Sequence, residues 1–326
     1  MKIVVYSYRD DEIDFIKQFE KKYHVTIDMY REALTEETVI YAKDADCVSI
    51  MTTKTDRSII QQLHDFGVIY ISTRTIGYDH IDIDACKEYG IHVGNVSYSL
   101  SSVAEYTVMM ILMSLRNMKL ILERFQTQDF SLQNIRGHEL RDKTVGIIGT
   151  GKIGQEVIKL LAGFDCQILA YDIYPNEDMK EYCSYHPLEY IYENSDIISL
   201  HIPSFEDTYH MINYDSLCKM KNSVIIINTA RGALIDTRDL IQGLEDKQIG
   251  YVALDVVEEE SLLYYKDLKN EVLSNRDLNM LRSFPNVMLT PHTAFFTSQA
   301  VSDMVEYSII SCKNEIEGKN NQYRIV

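Results

Sequence analysis

Three short segments of the chain carry ionisable side chains directly after strongly apolar runs, and together these side chains could act on a carbonyl group. They hold Arg231, the acidic run Glu258–Glu260 and His292. An imidazolium can donate a proton to a carbonyl oxygen, a nearby carboxylate stabilises its charged form, and a guanidinium fork suits a carboxylate or a ketone oxygen. The three side-chain types together predict the reduction of a 2-keto acid, with hydride reaching the carbonyl carbon as the imidazolium supplies the proton.

Each of these residues also has an ordinary structural explanation. An Arg at a strand end commonly forms a surface ion pair, an acidic run commonly lies in a solvated loop, and a single His is commonly structural. All three segments, however, follow strands of one predicted parallel sheet, and ligands of such sheets bind beyond the carboxyl ends of the strands. Their joint occurrence favours a shared catalytic site, although the residues alone leave open which of the three acids is the partner of His292.

A turn with three glycines follows the apolar run Val145–Ile148. Gly149 would permit a tight turn, Gly151 would let a pyrophosphate approach bare backbone, and Gly154 would let the next helix lie close to the strand. The N-terminus of that helix would then face the phosphates. This strand–turn–helix pattern predicts a dinucleotide-binding site.

An acidic residue, Asp172, ends the next apolar run and stands 18 residues after the last of these glycines. In dinucleotide-binding folds such a carboxylate accepts hydrogen bonds from the adenosine ribose hydroxyls. It also repels a 2′-phosphate, and no Lys or Arg follows it before Lys180. The sequence therefore favours NAD(H) over NADP(H). The alternative, an ordinary glycine-rich turn in another α/β fold, would leave the acid without a role.

The elements that must hold these residues alternate short apolar runs with helical stretches, which is typical of βαβ units and parallel sheets. In the first hundred residues, strands are predicted over 3–6, 47–50, 70–72 and 92–96, and helices over 12–22 and 36–42. A second series of strands is predicted over 145–148, 167–171, 197–201, 223–228, 251–255 and 287–290. A long helix over 101–116, with Ser102 as its N-cap, separates the two series, and a helix over 298–316 follows them.

This order of elements predicts an α/β protein with two doubly wound parallel-sheet domains and a cleft between them. Residues 1–100, completed by 296–326, are expected to form one domain, and residues 101–295 the dinucleotide-binding domain. A chain of 326 residues is long enough for two such domains.

Composition excludes several classes of function. With 49 acidic and 32 basic residues, the formal net charge is −17, which disfavours a nucleic-acid partner. The six cysteines form no C-x-x-C pair, so neither a disulfide framework nor a metal site is expected. The N-terminus has no signal-peptide pattern, and the longest apolar run, 108–113, is too short to span a membrane. We therefore expect a cytoplasmic protein without a membrane partner.

Several spans together resemble the NAD-dependent D-2-hydroxyacid dehydrogenases, and the resemblance runs nearly the length of the chain. They are Arg74–Asp79, Gly149–Gly154, Asn228–Gly232, Asp255–Glu260 and Pro291–Thr293. Within that family, the chain is similar to the D-lactate dehydrogenases, particularly the branch with the VanH type of vancomycin resistance, over Tyr70–Gly77, Ser102–Thr107 and Pro291–Thr297. The resemblance implies a Rossmann NAD-binding domain and a flavodoxin-like substrate domain.

The same resemblance assigns roles to single residues. It implies that Arg231 binds and polarises the substrate and that His292 donates the proton. Glu260 is implied as the partner of His292, because the family's acid stands five residues after the strand-end acid, here Asp255. Substrate contacts are also implied for the backbone amides of Ile76 and Gly77, for Phe295, and for Tyr98, although the family's Tyr-Ser-Pro turn reads Tyr98-Ser99-Leu100 here. NAD contacts are implied for Gly149, Gly151, Lys152, Ile153, Gly154, Asp172, Ile202, Pro203, Thr208, Thr229, Ala230, Arg231 and Asp255.

The implied activity is the stereospecific, NADH-dependent reduction of pyruvate to D-lactate, with Phe295 closing a pocket for a small substrate. A larger 2-keto acid such as 2-ketoisocaproate or phenylpyruvate is the alternative, because one or two side chains can set chain-length preference. Plain packing between the domains is the other explanation of Phe295. An NAD(H)-sensing regulator that binds partner proteins is a hypothesis from a different class.

The family usually forms homodimers through its cofactor domain. The apolar run 108–115 is a candidate for that contact, although burial in the core of one chain explains it equally well. A fermentative role and a cell-wall role would use the same chemistry, so the sequence does not separate them.

Overall fold

The computed structural model describes residues 1–260 and 263–326. Its strands are Lys2–Val5 (β1), Thr26–Met29 (β2), Cys47–Ile50 (β3), Tyr70–Thr73 (β4), His92–Gly94 (β5), Thr144–Ile148 (β6), Gln167–Tyr171 (β7), Ser184–Tyr185 (β8), Ile197–Leu200 (β9), Val224–Asn228 (β10), Ile249–Leu254 (β11) and Val287–Leu289 (β12). Its α-helices are Ile13–Tyr23 (α1), Arg57–Asp65 (α2), Ile83–Tyr89 (α3), Leu100–Leu115 (α4), Met118–Gln126 (α5), Lys152–Ala162 (α6), Leu188–Asn194 (α7), Tyr214–Lys219 (α8), Thr237–Glu245 (α9), Arg276–Ser283 (α10) and Ser298–Ile316 (α11).

The described residues fall into two compact units. The first unit combines Met1–Ser99 with Phe296–Val326, and the second comprises Leu100–Phe295. The boundary after Ser99 lies one residue before the one expected from the sequence, because Leu100 already belongs to the second unit. The boundary between Phe295 and Phe296 lies where it was expected.

The first unit is built on a parallel five-stranded sheet with the order β2-β1-β3-β4-β5. This is the flavodoxin-like doubly wound order. Side chains alternate between the two faces of the sheet, so that Ile3 and Val5 pack with α1 and α11, whereas Val4 packs with α2 and α3 on the opposite face. Both faces of the sheet are therefore covered.

Helix α11 completes the first unit from the far end of the chain. Its N-cap, Thr297, accepts a hydrogen bond from the backbone of Ala300, and its buried face, which includes Val305, Ile309 and Cys312, joins the core on β1, β3 and β4. The chain then pairs with β5, where the amide of Ile325 donates to the carbonyl of Val93 at 2.7 Å. The N-terminal sheet thus depends on residues encoded some two hundred positions later.

The second unit is built on a parallel seven-stranded sheet with the order β12-β11-β10-β9-β6-β7-β8. Strand β6 lies between β7 and β9, so the order reverses there, which creates the switch point at which doubly wound sheets bind ligands. Helices α4 and α6 cover one face, and α7 to α10 pack against the core of the other. The fold class expected from the sequence is confirmed.

The structure corrects three details of the predicted elements. Strands β2 and β8 were not predicted, because β2 is a partly exposed edge strand and β8 has only two residues, so neither carries an apolar run. The stretch predicted as a helix over 36–42 forms only the 3-10 helix Val39–Ala42. Ser102 is not an N-cap, because α4 begins at Leu100 and places Ser102 inside its first turn, where it is buried.

Helix α4 contains the longest apolar run of the chain. Among the described residues, no helix is both long enough and apolar enough to cross a lipid bilayer.

Candidate active site

The three-glycine turn after β6 is folded tightly against the strand end and the following helix. Gly149 has a left-handed backbone with φ +98°, and a Cβ there would lie 2.6 Å from the carbonyl oxygen of His201. A Cβ on Gly154 would lie 2.0 Å from the carbonyl oxygen of Gly149. Only glycine fits either position, because the atoms in the way belong to the backbone.

Gly151 differs from the other two glycines because a Cβ there would meet no protein atom within 4 Å. It is the N-cap of α6, and no side chain caps the helix, so the first-turn amides of Lys152 and Ile153 have no such partner among the described residues. Free amides and the helix dipole favour an anion at this end. The open backbone and the uncapped helix fit the pyrophosphate of a dinucleotide.

Asp172 follows β7 and is anchored to the same turn. Its Oδ2 accepts hydrogen bonds from the backbone N–H of Thr150 at 2.6 Å and from the Thr150 hydroxyl at 3.0 Å, and its Oδ1 accepts from the backbone of Tyr174 at 2.8 Å. A carboxylate offers about four acceptor positions, so one remains for a ribose hydroxyl. The half-buried negative charge is also unfavourable for a 2′-phosphate.

Arg231 lies on the turn after β10, and that turn is organised by Asn228. The fully buried Asn228 donates from Nδ2 to the carbonyl of Arg231 at 2.8 Å and accepts at Oδ1 from the amide of Ala230 at 2.9 Å. The Thr229 hydroxyl lies 2.9 Å from that of Thr107 on α4. The guanidinium of Arg231 donates to the carbonyl of Ala230 at 2.8 Å. Thr229, Ala230 and Arg231 thus form one hydrogen-bonded turn at the carboxyl end of the sheet.

His292 and Glu260 form a close pair on the turns that follow β12 and β11. The Nδ1 atom of His292 lies 2.6 Å from Oε1 of Glu260, and each side chain is about one-quarter exposed. The other carboxylate oxygen of Glu260 accepts from the amide of Val257 at 3.1 Å. Because Nδ1 is engaged by the carboxylate, Nε2 is the ring atom that can exchange a proton with a substrate.

The other two acids of the same run have different surroundings. Glu258 contacts His210 Nε2 at 2.7 Å and accepts from the Thr237 hydroxyl at 2.6 Å. Glu259 is exposed and has a left-handed backbone with φ 57°. Among Glu258, Glu259 and Glu260, therefore, Glu260 is the acid that the structure brings to His292.

His292 itself has a left-handed backbone, with φ 52°, and the buried Asp255 stabilises that conformation. The Asp255 carboxylate accepts from the hydroxyl of Thr290 at 2.6 Å and from the amides of Thr293 and Ala294 at 2.8 Å each. The amide of His292 donates to the Asp255 carbonyl at 2.7 Å. Asp255 therefore organises the turn that carries His292, a role that the sequence did not indicate. Its implied contact with NAD stays a prediction.

Two aromatic residues lie beside His292. The buried ring of Phe295 is edge-on to the imidazole, with centroids 6.2 Å apart and an interplanar angle of 81°. The hydroxyl of Tyr265 donates to the carbonyl of His292 at 2.8 Å. Sequence reasoning missed Tyr265, because a single Tyr in an acidic loop carries no pattern.

The loop after β4, in the first unit, carries Ile76 and Gly77, and its peptide groups are fixed by side chains. Asn95 donates from Nδ2 to the carbonyl of Ile76 at 2.6 Å, and the Thr75 hydroxyl donates to the carbonyl of Gly77 at 2.6 Å. In a trans peptide the C=O and N–H point in opposite directions, so Asn95 also orients the Gly77 amide. Tyr98 follows β5 in the same unit and is half-buried.

The remaining predicted cofactor residues lie on the loop after β9. Ile202 lies near the start of this loop, and the hydroxyl of Thr208 donates to the carbonyl of Pro203 at 2.9 Å while accepting from the amide of Phe205 at 2.8 Å. The Thr208 hydroxyl thus stabilises the fold of its own loop. The NAD contacts of Ile202, Pro203 and Thr208 stay predictions.

Comparisons with known proteins bear on the family of the chain. The family model described as "D-isomer specific 2-hydroxyacid dehydrogenase, NAD binding domain" matches residues 108–294. The chain is 42% identical to an aromatic 2-oxoacid reductase of Clostridium sporogenes, over 100% of this chain and 99% of that protein. It is 37% identical to a D-lactate dehydrogenase of Lactiplantibacillus plantarum, over 97% of each protein.

A solved structure of D-2-hydroxyisocaproate dehydrogenase is similar over 100% of this chain and 99% of that one, with a TM-score of 0.91 and 35% identity. The family match covers the glycine turn, Asp172 and the catalytic candidates of the second unit, and the relatives match from end to end. The chain therefore belongs to the D-isomer-specific 2-hydroxyacid dehydrogenases, which are oxidoreductases that use NAD(H).

Proposed function

We propose that the protein is a D-lactate dehydrogenase that reduces pyruvate with NADH. The observation that carries this proposal is the 2.6 Å contact between His292 Nδ1 and Glu260 Oε1, on turns after adjacent strands of the NAD-binding unit. Arg231 follows the next strand of the same sheet. A carboxylate-bound imidazole and a guanidinium group at the same edge of one sheet have the chemistry that the reduction of a 2-keto acid requires.

In this proposal, the glycine turn and Asp172 would hold NADH, which would supply a hydride to the carbonyl carbon of the keto acid. His292 gives the proton on Nε2 to the carbonyl oxygen, so the carbonyl group becomes a hydroxyl group, and Glu260 stabilises the imidazolium before the transfer. Arg231 binds the substrate through its guanidinium fork. The amides of Ile76 and Gly77 bind the substrate carboxylate, which makes the first unit the substrate domain and the second unit the cofactor domain.

Pyruvate is the proposed substrate because the bulky ring of Phe295 packs edge-on against His292, and the family resemblance implies that this ring closes the pocket over the side chain of the substrate. The 37% identity to a D-lactate dehydrogenase supports the same choice. The second candidate is a larger 2-keto acid such as phenylpyruvate, which is favoured by the 42% identity to an aromatic 2-oxoacid reductase. One methylene changes discrimination by only about 1–3 kcal/mol, so few side chains would separate the two.

We also propose that the active species is a homodimer. Helices α4 and α6 border an apolar surface groove of about 420 Å³, and Met109, Leu160 and Phe164 in its lining are each more than one-third exposed. A second copy of this face would bury them. The six free cysteines are consistent with the reducing conditions of the cytoplasm, where we place the activity.

The test is NADH oxidation by the purified protein with pyruvate, 2-ketobutyrate, 2-ketoisocaproate and phenylpyruvate, followed by chiral analysis of the products. We expect the highest kcat/KM with pyruvate, a D-configured product and little activity with NADPH. His292→Ala should lower kcat by about 10²–10⁴-fold, the contribution of a positioned general acid. His186→Ala, directly after the edge strand β8, is the matched control and should leave kcat unchanged.

The outcomes separate the candidates. A preference for phenylpyruvate or 2-ketoisocaproate would replace lactate formation by the second candidate. NADH binding without turnover of any of the four acids would overturn the proposal and leave a regulator that senses NAD(H). Full activity of His292→Ala would remove His292 as the proton donor.

A further inference from the structure

We propose that His210 is a positioning residue that fixes the turn carrying Glu260 relative to the turn carrying Arg231. The inference rests on the proposed function, because it concerns how the predicted proton donor and substrate-binding groups are held together. His210 lies on the loop between β9 and α8. It does not contact His292 or Glu260 in the described hydrogen-bond network, so it would act through other groups.

The imidazole of His210 bridges two carboxylates from two different loops. Its Nε2 lies 2.7 Å from Oε1 of Glu258, and its Nδ1 lies 3.1 Å from Oδ2 of Asp236. The ring stacks on Tyr209, with centroids 3.8 Å apart. Both nitrogens can donate at once only when the ring carries both protons, and it then joins two negative charges. Asp236, Glu258 and Tyr209 are the titratable groups that face it.

Each carboxylate held by His210 in turn organises the start of α9. Glu258 accepts at Oε2 from the amide of Thr237 at 3.1 Å and from its hydroxyl at 2.6 Å. Asp236 is the N-cap of the helix and accepts from the amides of Arg238 and Asp239 at 3.0 and 3.1 Å. The loop after β10, which carries Arg231, and the loop after β11, which carries Glu260, are thus joined through His210.

The two loops also touch at the backbone, which leaves little room for one to move without the other. A Cβ on Gly232, next to Arg231, would lie 2.1 Å from the carbonyl carbon of Val257. The amide of Val257 in turn donates to Oε2 of Glu260 at 3.1 Å. A displacement of Glu258 therefore shifts Val257 and, with it, the carboxylate that holds His292.

The left-handed backbone of His210 itself, with φ 50°, is held on both sides. Its amide donates to the carbonyl of Ala233 at 2.9 Å, and its carbonyl accepts from Nδ2 of Asn213 at 2.9 Å. The imidazole is therefore presented from a fixed backbone rather than from a free loop, as a positioning role requires.

The test compares His210→Phe, which keeps a stacking ring and removes both donors, with His210→Gln, which keeps a neutral N–H donor group and removes the ring. His186→Phe is the matched control, because His186 also stacks on a tyrosine, with its centroid 4.2 Å from that of Tyr190, but contacts the Ser184 hydroxyl instead of a carboxylate. The readouts are kcat and KM for the keto acid, the pH profile of kcat/KM, and the Kd of NADH from its fluorescence.

For His210→Phe we expect kcat to fall by about 10- to 100-fold, because a misplacement of about 1 Å can cost 10²-fold. The Kd of NADH should change by less than about threefold, since the glycine turn is not touched, whereas KM should rise because the turn that carries Arg231 is no longer fixed. The pH profile of kcat/KM should be displaced from that of the wild type, and His210→Gln should lie between the two. A merely structural role would lower the melting temperature without moving the pH profile of the folded enzyme.

Wild-type kcat and pH profile in His210→Phe, or equal losses in His186→Phe, would overturn the inference. If His210→Phe does not fold, Glu258→Gln tests the same link, because it removes the charge on one partner while keeping the side-chain shape. A wild-type pH profile in a folded Glu258→Gln would overturn the inference as well.

A measurement without turnover separates this inference from the proposed function. The Nδ1–H resonance of His292 in the NMR spectrum reports its contact with Glu260 and requires no substrate. We expect it to move in His210→Phe and to stay in place in His186→Phe. If the wild type reduces no 2-keto acid, the proposed function fails, and this resonance still decides whether His210 positions the pair.

Discussion

His292 combines a reactive side chain with a backbone conformation that few side chains adopt. Non-glycine residues rarely occupy the left-handed region, and such conformations persist where the surroundings impose them, often at functional sites. Here the surroundings are the carboxylate and the carbonyl of one buried residue, Asp255. The direction of the imidazole is thus set by the end of β11, the same strand that leads to Glu260.

His201, at the carboxyl end of β9, gives a pH dependence of stability. Burial lowers the pKa of its imidazole from 6.5 to about 4. The unfolded chain therefore takes up a proton below about pH 6.5 that the folded chain accepts only near pH 4, so the free energy of unfolding falls as the pH drops through this window.

We expect His201→Gln to remove this loss. Between pH 8 and pH 5 the wild type should lose at most about 2 kcal/mol more of its free energy of unfolding than the variant does. Solvation of the partly exposed residue makes this figure an upper limit. The measurement is chemical unfolding at pH 8 and pH 5, with His186→Gln as control. The same pH dependence in His201→Gln as in the wild type would show that another group is responsible.

Single residues differ in how far the sequence could predict their surroundings. Resemblance singled out Glu260 among three adjacent acids, and the structure places that acid against His292. Arg74 appeared only as part of a matching span, yet it is almost fully buried and binds Glu12 at 3.0 Å. No pattern could reveal that pair, because Glu12 reads as the exposed first residue of a helix.

At the level of elements, the glycines of the turn between β6 and α6 have different roles. A methyl group on Gly154 would collide with backbone, whereas one on Gly151 would project into open space. Gly154 is thus required by the fold of the turn itself. Gly151 is required only if a ligand lies against it.

This contrast predicts opposite outcomes for two alanine variants. Gly154→Ala should lower the melting temperature, because the helix must move away from the strand. Gly151→Ala, at an ordinary φ of −65°, should keep the wild-type melting temperature and raise the Kd of NADH by about tenfold or more, equivalent to 1.4 kcal/mol. The measurements are thermal unfolding and NADH fluorescence titration. Unchanged NADH binding in Gly151→Ala would place the pyrophosphate elsewhere.

Elements with strong periodicity were predictable, and those shaped by their neighbours were not. Buried strands such as β10, with the sequence Val-Ile-Ile-Ile-Asn, can be predicted from their apolar composition. Strand β8 is fixed only by pairing with β7, and the Ser102-x-x-Glu105 pattern of a capping box lies inside α4 instead of before it. Local sequence does not show whether the helix begins before or after such a pattern.

For the whole molecule, the alternation of elements predicted two doubly wound parallel sheets, but it predicted neither the order of their strands nor the character of the surfaces. The groove between α4 and α6 is apolar, and in the same unit Phe125, Phe130 and Leu132 are each more than two-thirds exposed. The sequence left open whether the apolar run of α4 is core or contact. In the structure, Met110 and Ile111 of this run are buried in the core, while Met109 is exposed.

We expect the wild type to sediment as a dimer of the 37.8 kDa chain and Met109→Glu to sediment as a monomer. A charge at this position would have to be buried without a partner in the contact between copies. Val272→Glu is the control, because Val272 is 95% exposed and lies outside the groove. A dimeric Met109→Glu would move the contact to another face, and a monomeric wild type would remove the dimer from the proposal.

The division of the first unit into two chain segments has a consequence for its synthesis. Its sheet is made early, but α11, which covers one face, emerges only after the entire second unit. At about 5–20 residues per second, the intervening two hundred or so residues occupy the ribosome for roughly 10–40 s. During that time Ile3, Val5 and Tyr70 lack the cover of α11, so we expect the nascent chain to expose this apolar face to ribosome-associated chaperones.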